Sequence, residues 1–311
     1  MIETRWDSFG GRGLFAMTAS PQGTPMLAIP ERNVVYEAAS GSFVDRVVDQ
    51  LPFRNDTVSQ RGAWSLGAIL ATWKLARDHN PISEGTIMME RLGITMSAAD
   101  YAGSLPWKET QWQLPILWDA VTLHQSLIYG CEEVVNARSS SDELTEVLQR
   151  DMLDTCHKAQ CLVMNLQKTG ACLAQELEPA LKEEGLTVSP LNVLHACEQS
   201  MALVYSRSLL HSASGKLALI PTIDFANHHA SPNAYLQNTV DGVTLVAKES
   251  IALDEEITIT YGLDSGNGDR SPCAFSSYGF VPQTLANSKD VGGKALQAAI
   301  RWGQKTAKRG R

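Results

Sequence analysis

The spacing of hydrophobic residues divides the chain into two stretches with strand patterns and a helical stretch between them. Short apolar runs at 13–16 and 25–30 flank a Ser-Pro-Gln-Gly turn at 20–23, which predicts a hairpin. From residue 63 onward, apolar positions recur every three or four residues, as in amphipathic helices. After Gly215 the period shortens to that of strands. The pattern therefore predicts an α+β chain.

Individual elements follow from the same periodicity and from the residues that start and stop helices. We predict helices over 63–78, from about 115 to 128, from about 142 to Thr169 and Gly170, and from Ser189 and Pro190 to about 209. Residues 79–113 are interrupted by prolines and glycine, which indicates short helices and loops. Runs at 234–237 and 243–247 predict a second hairpin, and 257–260 predicts a strand.

Polar residues with versatile hydrogen bonding follow several of the apolar runs in the last third of the chain. Asp224, Asn227 and His228 come after the run that ends at 220–223, and Tyr261 comes after the strand at 257–260. Amide, imidazole and phenol groups can donate and accept hydrogen bonds, and they are costly to bury without partners. Their gathering at strand ends indicates a binding or catalytic site.

Five short motifs, taken in order, resemble the SET-domain protein methyltransferases. The closest resemblance is to the branch typified by the Rubisco large-subunit lysine methyltransferase, which also includes the actin-histidine methyltransferase. The motifs are Gly-Arg-Gly-Leu at 11–14, Ser-Arg at 206–207, Asp-Phe-Ala-Asn-His at 224–228, Glu-Glu-Ile-Thr-Ile-Thr-Tyr-Gly at 255–262 and Tyr-Gly-Phe at 278–280. Each is weak alone, because such short patterns are common in turns, but the ordered set is specific.

The resemblance implies a SET-domain fold of small β-sheets interrupted by a helical insertion. It predicts an N-terminal part of the SET domain at 1–60 and a mainly helical inserted region at 61–210. The C-terminal part, with the Asn-His and Tyr-Gly motifs, is expected at 211–285. Residues 286–311 are expected to form a tail with room for one helix.

The resemblance also implies a function and a role for each motif residue. The expected activity is S-adenosylmethionine-dependent methylation of a lysine side chain in a non-histone protein. Tyr261 is the expected catalytic residue, and Asp224 and Phe280 are expected to line the substrate pocket. Contacts to S-adenosylmethionine are expected from Gly11, Arg12, Gly13, Arg207, Asn227, His228 and Tyr278.

Other interpretations of these residues and of the whole chain stay open at this point. His228 could pack in the core, Arg207 could lie at the surface of a helix end, and Asp224 could satisfy a buried backbone amide. The enzyme could methylate a histidine, or the fold could serve as an interaction module without catalysis. Cofactor affinity separates the enzyme from the module. A dinucleotide-binding reductase fits poorly, because the Gly-x-Gly lacks the third glycine and the later acid.

The expected chemistry needs neither a metal nor a covalent nucleophile. The attacking amine must be neutral, whereas free lysine has a pKa of about 10.4. An apolar channel and a neighbouring sulfonium both disfavour the ammonium and lower that pKa. Alignment of the amine with the methyl group then lowers the activation barrier by several kcal/mol.

Composition limits the partners. The net charge of −8 argues against a nucleic acid, which favours a basic face. No apolar run is long enough for a membrane span, and the start lacks a signal-peptide pattern, so a cytoplasmic or plastid protein is expected. Six cysteines without a Cys-x-x-Cys argue against structural zinc. The expected partner is a protein substrate; the sequence does not indicate an oligomeric state.

Overall fold

The structure is a computed structural model that describes most of the chain. The described residues are 2–6, 12–51, 58–79, 96–107, 113–137, 146–212, 214–239, 241–263, 270–282 and 290–309. The chain divides into two compact units. The first comprises Met1–Leu105 and Cys172–Gly262, and the second comprises Pro106–Ala171 and Leu263–Arg311.

Ten short strands, all in the first unit, are described. They are β1 (Ile2–Trp6), β2 (Arg12–Ala16), β3 (Pro25–Pro30), β4 (Val35–Tyr36), β5 (Leu209–His211), β6 (Lys216–Leu219), β7 (Asn227–His228), β8 (Ala234–Thr239), β9 (Gly242–Ala247) and β10 (Glu256–Ile259). They form three sheets with the strand orders β1-β2-β10-β7, β3-β9-β8 and β4-β6-β5. Only the β10–β7 pair is parallel among the described strand pairs.

The described α-helices are distributed over both units. They are α1 (Phe43–Gln50), α2 (Val58–His79), α3 (Met96–Ser104), α4 (Ala120–Asn136), α5 (Glu146–Glu183), α6 (Pro190–Arg207), α7 (Ser271–Tyr278) and α8 (Val291–Arg309). Three begin at side-chain caps, in which Ser42, Asp119 and Ser189 accept a hydrogen bond from the backbone N–H three residues on. Among the described helices, none combines the length and apolar character needed to span a bilayer.

The core of the first unit is built from alternating strand residues. Leu14 on β2, Ile257 and Ile259 on β10, and Ala218 on β6 are fully or almost fully buried in one cluster. Since side chains alternate between the two faces of a strand, Thr258 is left on the opposite face of β10. Helices and small sheets in one unit make the fold α+β, as the sequence predicts.

Several element predictions are confirmed. The helix predicted over 63–78 is α2, and the helix predicted from Ser189 and Pro190 is α6, with Ser189 as its cap. The hairpin predicted over 234–247 is the antiparallel pair β8–β9. The turn at 20–23 also forms, with Gly23 at a φ of 80° and Thr24 N–H donating to the Pro21 carbonyl.

Two predictions are wrong, each for a physical reason. The runs at 13–16 and 25–30 do not pair as a hairpin, because β2 lies between β1 and β10 while β3 pairs with β9. Helix α5 does not stop at Gly170 but continues to Glu183. Leu173, Leu177 and Leu181 recur every fourth residue and are buried, and their burial outweighs the cost of about 1 kcal/mol for one glycine inside a helix.

In the second unit, the close packing of α4 against α8 depends on Gly130. A Cβ at this position would overlap the carbonyl oxygen of Ala295 and lie 3.0 Å from the Ala299 nitrogen. Replacing Gly130 by Ala should therefore destabilise this unit although alanine favours helices. We expect the free energy of unfolding to fall by about 1–2 kcal/mol in denaturant titrations.

The matched control for this prediction is Gly103→Ala on α3. A Cβ there would meet only the Trp73 ring at 3.7 Å, an ordinary contact. This variant should be as stable as the wild type or slightly more stable. Equal stability of the Gly130 variant and wild type would show that the two helices can separate at no cost.

Candidate active site

Strand β10 lies between β2, from the start of the chain, and β7. Its residues Glu256 and Ile257 pair antiparallel with Phe15 and Leu14 of β2. On the other side, Thr258 and Ile259 pair in parallel with Asn227 and His228 of β7. Gly13 of the predicted Gly-x-Gly motif and the Asn-His and Tyr-Gly motifs therefore lie on or directly beside neighbouring strands of one sheet.

Gly13 lies where the backbone of β2 passes close to two polar side chains. A Cβ at this position would be 2.7 Å from Glu256 Oε1 and 3.1 Å from Asn227 Nδ2. These two atoms are hydrogen-bonded to each other, because Asn227 Nδ2 donates to Glu256 Oε1 over 2.7 Å. A Cβ here would therefore press against the Asn227–Glu256 pair, and the ends of these two side chains would have to shift to admit it.

Tyr261 is held at both its side chain and its backbone by the Asn-His segment. Its hydroxyl donates to the Ala226 carbonyl over 2.8 Å, and its backbone N–H donates to His228 Nδ1 over 3.1 Å. The two rings lie 5.4 Å apart between centroids. Since Nδ1 accepts, the neutral His228 ring carries its proton on Nε2. Tyr261 therefore cannot shift without also disturbing the residues on either side of Asn227.

A buried charge network lies just before this segment. Arg207 Nη1 donates to Asp224 Oδ2 over 3.1 Å and to the Asp224 carbonyl over 3.3 Å, and the Tyr101 hydroxyl donates to the same Oδ2 over 2.9 Å. The Arg207 guanidinium also stacks on the Phe225 ring at 4.5 Å. The side chain of Arg207 is 14% exposed and that of Asp224 is 0% exposed.

Burial is the largest influence on the acid–base behaviour of this network. It raises the pKa of Asp224, while the positive charge of Arg207 and the hydrogen bonds from Tyr101 and Arg207 lower it. Burial, followed by the charge of Asp224, raises the pKa of Tyr101 well above its ordinary value. Tyr101 is therefore a neutral donor to Asp224, and Arg207 is the ion that favours the charged carboxylate.

The backbone is strained where it enters the network. Thr222 has a φ of 69° and a ψ of −46°, and the Ile223 N–H donates across it to the Pro221 carbonyl over 2.8 Å. This geometry is a γ-turn, which is rare and especially unfavourable for a β-branched residue. A strained residue of this kind costs about 1–3 kcal/mol and persists only where its surroundings hold it. Such strain concentrates at functional sites.

The family comparison agrees with this geometry. Residues 11–262 match the SET domain family. This chain belongs to the SET-domain family. The matched range contains every strand of the described sheets from β2 to β10, so the predicted SET-domain fold is confirmed.

Individual relatives of this SET domain share the fold with low identity. The SET domain of LSMT bound to lysine and AdoHcy superposes with a TM-score of 0.54 and 17% identity, over 90% of this chain and 52% of that one. Rubisco LSMT bound to AdoMet gives 0.50 and 17%, over 90% and 51%. SET domain-containing protein 8 of Schizosaccharomyces pombe is 35% identical over 82 residues, which is 26% of this chain and 18% of that protein. The chain thus spans about half the length of the solved relatives, and the match to the yeast protein covers less.

Four further residues are predicted for the site. Gly11 is outside the described residues, and Arg12 begins β2 with a side chain that is not described. Tyr278 and Phe280 belong to the second unit, where their rings lie 5.9 Å apart on either side of Gly279, the left-handed cap of α7. Burial raises the pKa of Tyr278. The part of these residues in the site stays a prediction.

Sequence reasoning missed two residues of this SET domain that hold the site together. Asn233 is buried, accepts from the Thr258 N–H over 2.8 Å and donates to the Glu256 carbonyl over 2.8 Å. The sequence did contain a signal for Asn233: it directly precedes the first residue of β8, and asparagine is uncommon in strands. Tyr101 had no such signal, since its partner is 123 residues away.

The buried pair predicts a large effect on stability. Arg207→Ala leaves the Asp224 carboxylate buried without its counter-ion, so the free energy of unfolding should fall by about 3–5 kcal/mol near neutral pH. The loss of Arg207 raises the folded-state pKa of Asp224 further. The deficit relative to wild type should therefore shrink as the pH falls through that pKa, where Asp224 takes up a proton.

The control for this experiment is Arg46→Ala, which removes a surface ion pair with Glu184 in the same unit. That change should cost no more than about 1 kcal/mol, because exposed pairs contribute little. The measurement is denaturant unfolding of both variants at several pH values. A deficit that is the same for both variants, or that does not depend on pH, would contradict a buried charged pair.

Proposed function

We propose that this chain is an S-adenosylmethionine-dependent protein methyltransferase that acts on a lysine side chain. The observation that carries the proposal is the fixed position of Tyr261, whose hydroxyl and backbone N–H bind the residues on both sides of Asn227. Support also comes from the ligands in the related solved structures, which are AdoMet in one and lysine with AdoHcy in another.

The residues around Gly13 fit the proposed cofactor. The Asn227 amide and the Glu256 carboxylate lie beside Gly13, so polar groups suited to a cofactor are close to a residue without a side chain. Gly13, Asn227 and His228 would hold the cofactor. Arg207 would contribute through nitrogens other than Nη1, because Nη1 already binds Asp224. When bound, S-adenosylmethionine supplies a methyl group activated by a positively charged sulfur.

The chain's own contribution to catalysis is the orientation of the substrate amine. The Tyr261 hydroxyl directs its hydrogen to Ala226, so a lone pair of the same oxygen is suited to accept a hydrogen bond from an amine. Alignment of this kind lowers a displacement barrier by several kcal/mol without a proton transfer from the protein.

The type of side chain modified can be tested directly. The protein is incubated with labelled S-adenosylmethionine and a lysate of the source organism, and the products are analysed by mass spectrometry. Methyl-lysine on a protein supports the proposal. Methyl-histidine would retain the enzyme and change its substrate, and no protein methylation by a correctly folded sample would contradict the proposal.

Cofactor binding is a prediction independent of the substrate. S-adenosylhomocysteine should raise the melting temperature, because a ligand at 100 times its Kd adds about 2.7 kcal/mol to the stability of the folded state. Gly13→Ala should weaken binding at least tenfold, since its methyl group displaces the Asn227–Glu256 pair. Gly103→Ala is the control and should bind like the wild type. The absence of a melting shift at millimolar ligand would argue against cofactor binding.

Tyr261→Phe separates catalysis from folding. The variant keeps the ring and loses one oxygen, so stability should fall by only about 0.5–1.5 kcal/mol for the hydrogen bond to Ala226. Cofactor affinity should stay within a few-fold of wild type. Turnover should fall by about two orders of magnitude, which corresponds to about 3 kcal/mol of transition-state stabilisation.

The measurements for this variant are calorimetric cofactor binding and labelled methyl transfer to the identified protein substrate. Tyr235→Phe is the control, because Tyr235 is exposed on β8 and should tolerate the change in every assay. Wild-type turnover in the Tyr261 variant would remove this hydroxyl from the mechanism.

A further inference from the structure

Tyr101 belongs to none of the five sequence motifs, but it forms a hydrogen bond with a residue of one of them. It lies on α3 and is buried, and its hydroxyl donates to Asp224 Oδ2 over 2.9 Å. Asp224 is the first residue of the Asp-x-x-Asn-His motif. A residue of the helical segment therefore binds directly to the residues that we place in the active site.

Asp224 and the Ala226 carbonyl, which accepts from the Tyr261 hydroxyl, lie two residues apart in one turn. The Asp224 N–H donates to the Ile220 carbonyl over 3.1 Å, and the Ala226 N–H donates to the Ile223 carbonyl over 2.9 Å, which closes a tight turn. The Ala226 carbonyl at the end of this turn accepts from the Tyr261 hydroxyl. The position of Asp224 thus fixes the acceptor that orients the phenol.

The turn needs support, because it begins at the strained residue Thr222. Two donors, the Tyr101 hydroxyl and Arg207 Nη1, converge on Asp224 Oδ2 and provide that support. They come from α3 and α6, two helices that are distant in sequence. Without Tyr101, the carboxylate would be held from the α6 side only.

We propose that Tyr101 is a positioning residue for methyl transfer, which acts by holding Asp224 and, through the turn, the Ala226 carbonyl that receives the Tyr261 hydroxyl. This inference rests on the proposed function, because it assigns Tyr101 a task in that reaction. It also gives α3, which lies in the helical region predicted at 61–210, a direct influence on turnover.

The proposal predicts a specific pH dependence. Among the described residues, the titratable and charged groups that face Asp224 are Tyr101 from α3 and Arg207 from α6. Both favour the carboxylate, so removal of the Tyr101 hydroxyl raises the pKa of Asp224. Protonated Asp224 no longer holds Arg207 as an ion pair. The acidic limb of the kcat profile should therefore move to higher pH in Tyr101→Phe.

The test compares Tyr101→Phe with Tyr36→Phe in the full chain. Tyr36 is a matched control, because its hydroxyl donates to a carboxylate of the same unit, Glu31, over 2.8 Å but away from the site. The assays are S-adenosylhomocysteine affinity, kcat as a function of pH, KM for the protein substrate, and hydrogen exchange of the amides in residues 222–228.

We expect kcat of Tyr101→Phe to fall about tenfold, which corresponds to a barrier increase of about 1.4 kcal/mol. KM should change little, the acidic limb should move upward, and the amides of 222–228 should exchange faster. Tyr36→Phe should match the wild type in all four assays. The proposal would be overturned if Tyr101→Phe had the kcat and the amide hydrogen exchange of the wild type. It would also be overturned by a lower kcat with an unchanged acidic limb, because that result indicates a purely structural role.

Two further outcomes are distinguishable. If the wild type neither binds S-adenosylhomocysteine nor transfers methyl groups, the proposed function fails, and unchanged exchange at 222–228 in Tyr101→Phe then overturns the role of Tyr101 as well. If Tyr101→Phe does not fold, Asp224→Asn replaces it. This variant has no titrating carboxyl group at position 224, so the ionisation of Asp224 should disappear from the kcat profile while that of the substrate amine remains. A profile identical to that of the wild type would overturn the proposal.

Discussion

The pairing of β10 with β2 on one side and β7 on the other is the constraint on which the site depends. It places three segments that are separated by up to about 240 residues at adjacent positions in one sheet. Backbone hydrogen bonds fix their spacing, and Asn233 reinforces it by binding the backbone of both Glu256 and Thr258. The contacts of Gly13 and Tyr261 with the Asn-His segment follow from this arrangement.

The Asp224–Arg207 pair is difficult to explain by stability alone. Removing two charges from water costs several kcal/mol per ion, and a buried pair often contributes less than apolar residues of the same volume would. The pair instead restricts the position of Asp224. A carboxylate that accepts from two fixed donors, here Arg207 and Tyr101, can occupy only a narrow range of positions. A turn that begins at strained Thr222 needs such a restraint.

Periodicity in the sequence predicted elements whose stabilising contacts are local. The helices α2 and α6 and the hairpin β8–β9 were predictable because propensity, caps and turn residues act within a few positions. The partner of β2 was not, because alternation identifies a strand without indicating which strand it pairs with. Motif order singled out Asp224, Asn227, His228 and Tyr261, and their roles in a site stay predictions. It could not indicate Tyr101, whose hydrogen-bond partner Asp224 is 123 residues away.

The direction of the Tyr261 hydrogen bond constrains the chemistry that the site can perform. A phenol that donates to a backbone carbonyl has no hydrogen to give to a reacting group, so in the proposed reaction Tyr261 would act as an acceptor and not as a general acid. Displacement at a methyl group requires no acid, because the leaving thioether departs neutral. What it requires is an amine held in line, and a misplacement of about 1 Å can cost a hundredfold in rate. In the proposed reaction, this requirement gives a task to Tyr101, which lies outside the motifs and is buried against Asp224. Tyr101 would set the geometry of the site through Asp224 and not through a contact with the substrate.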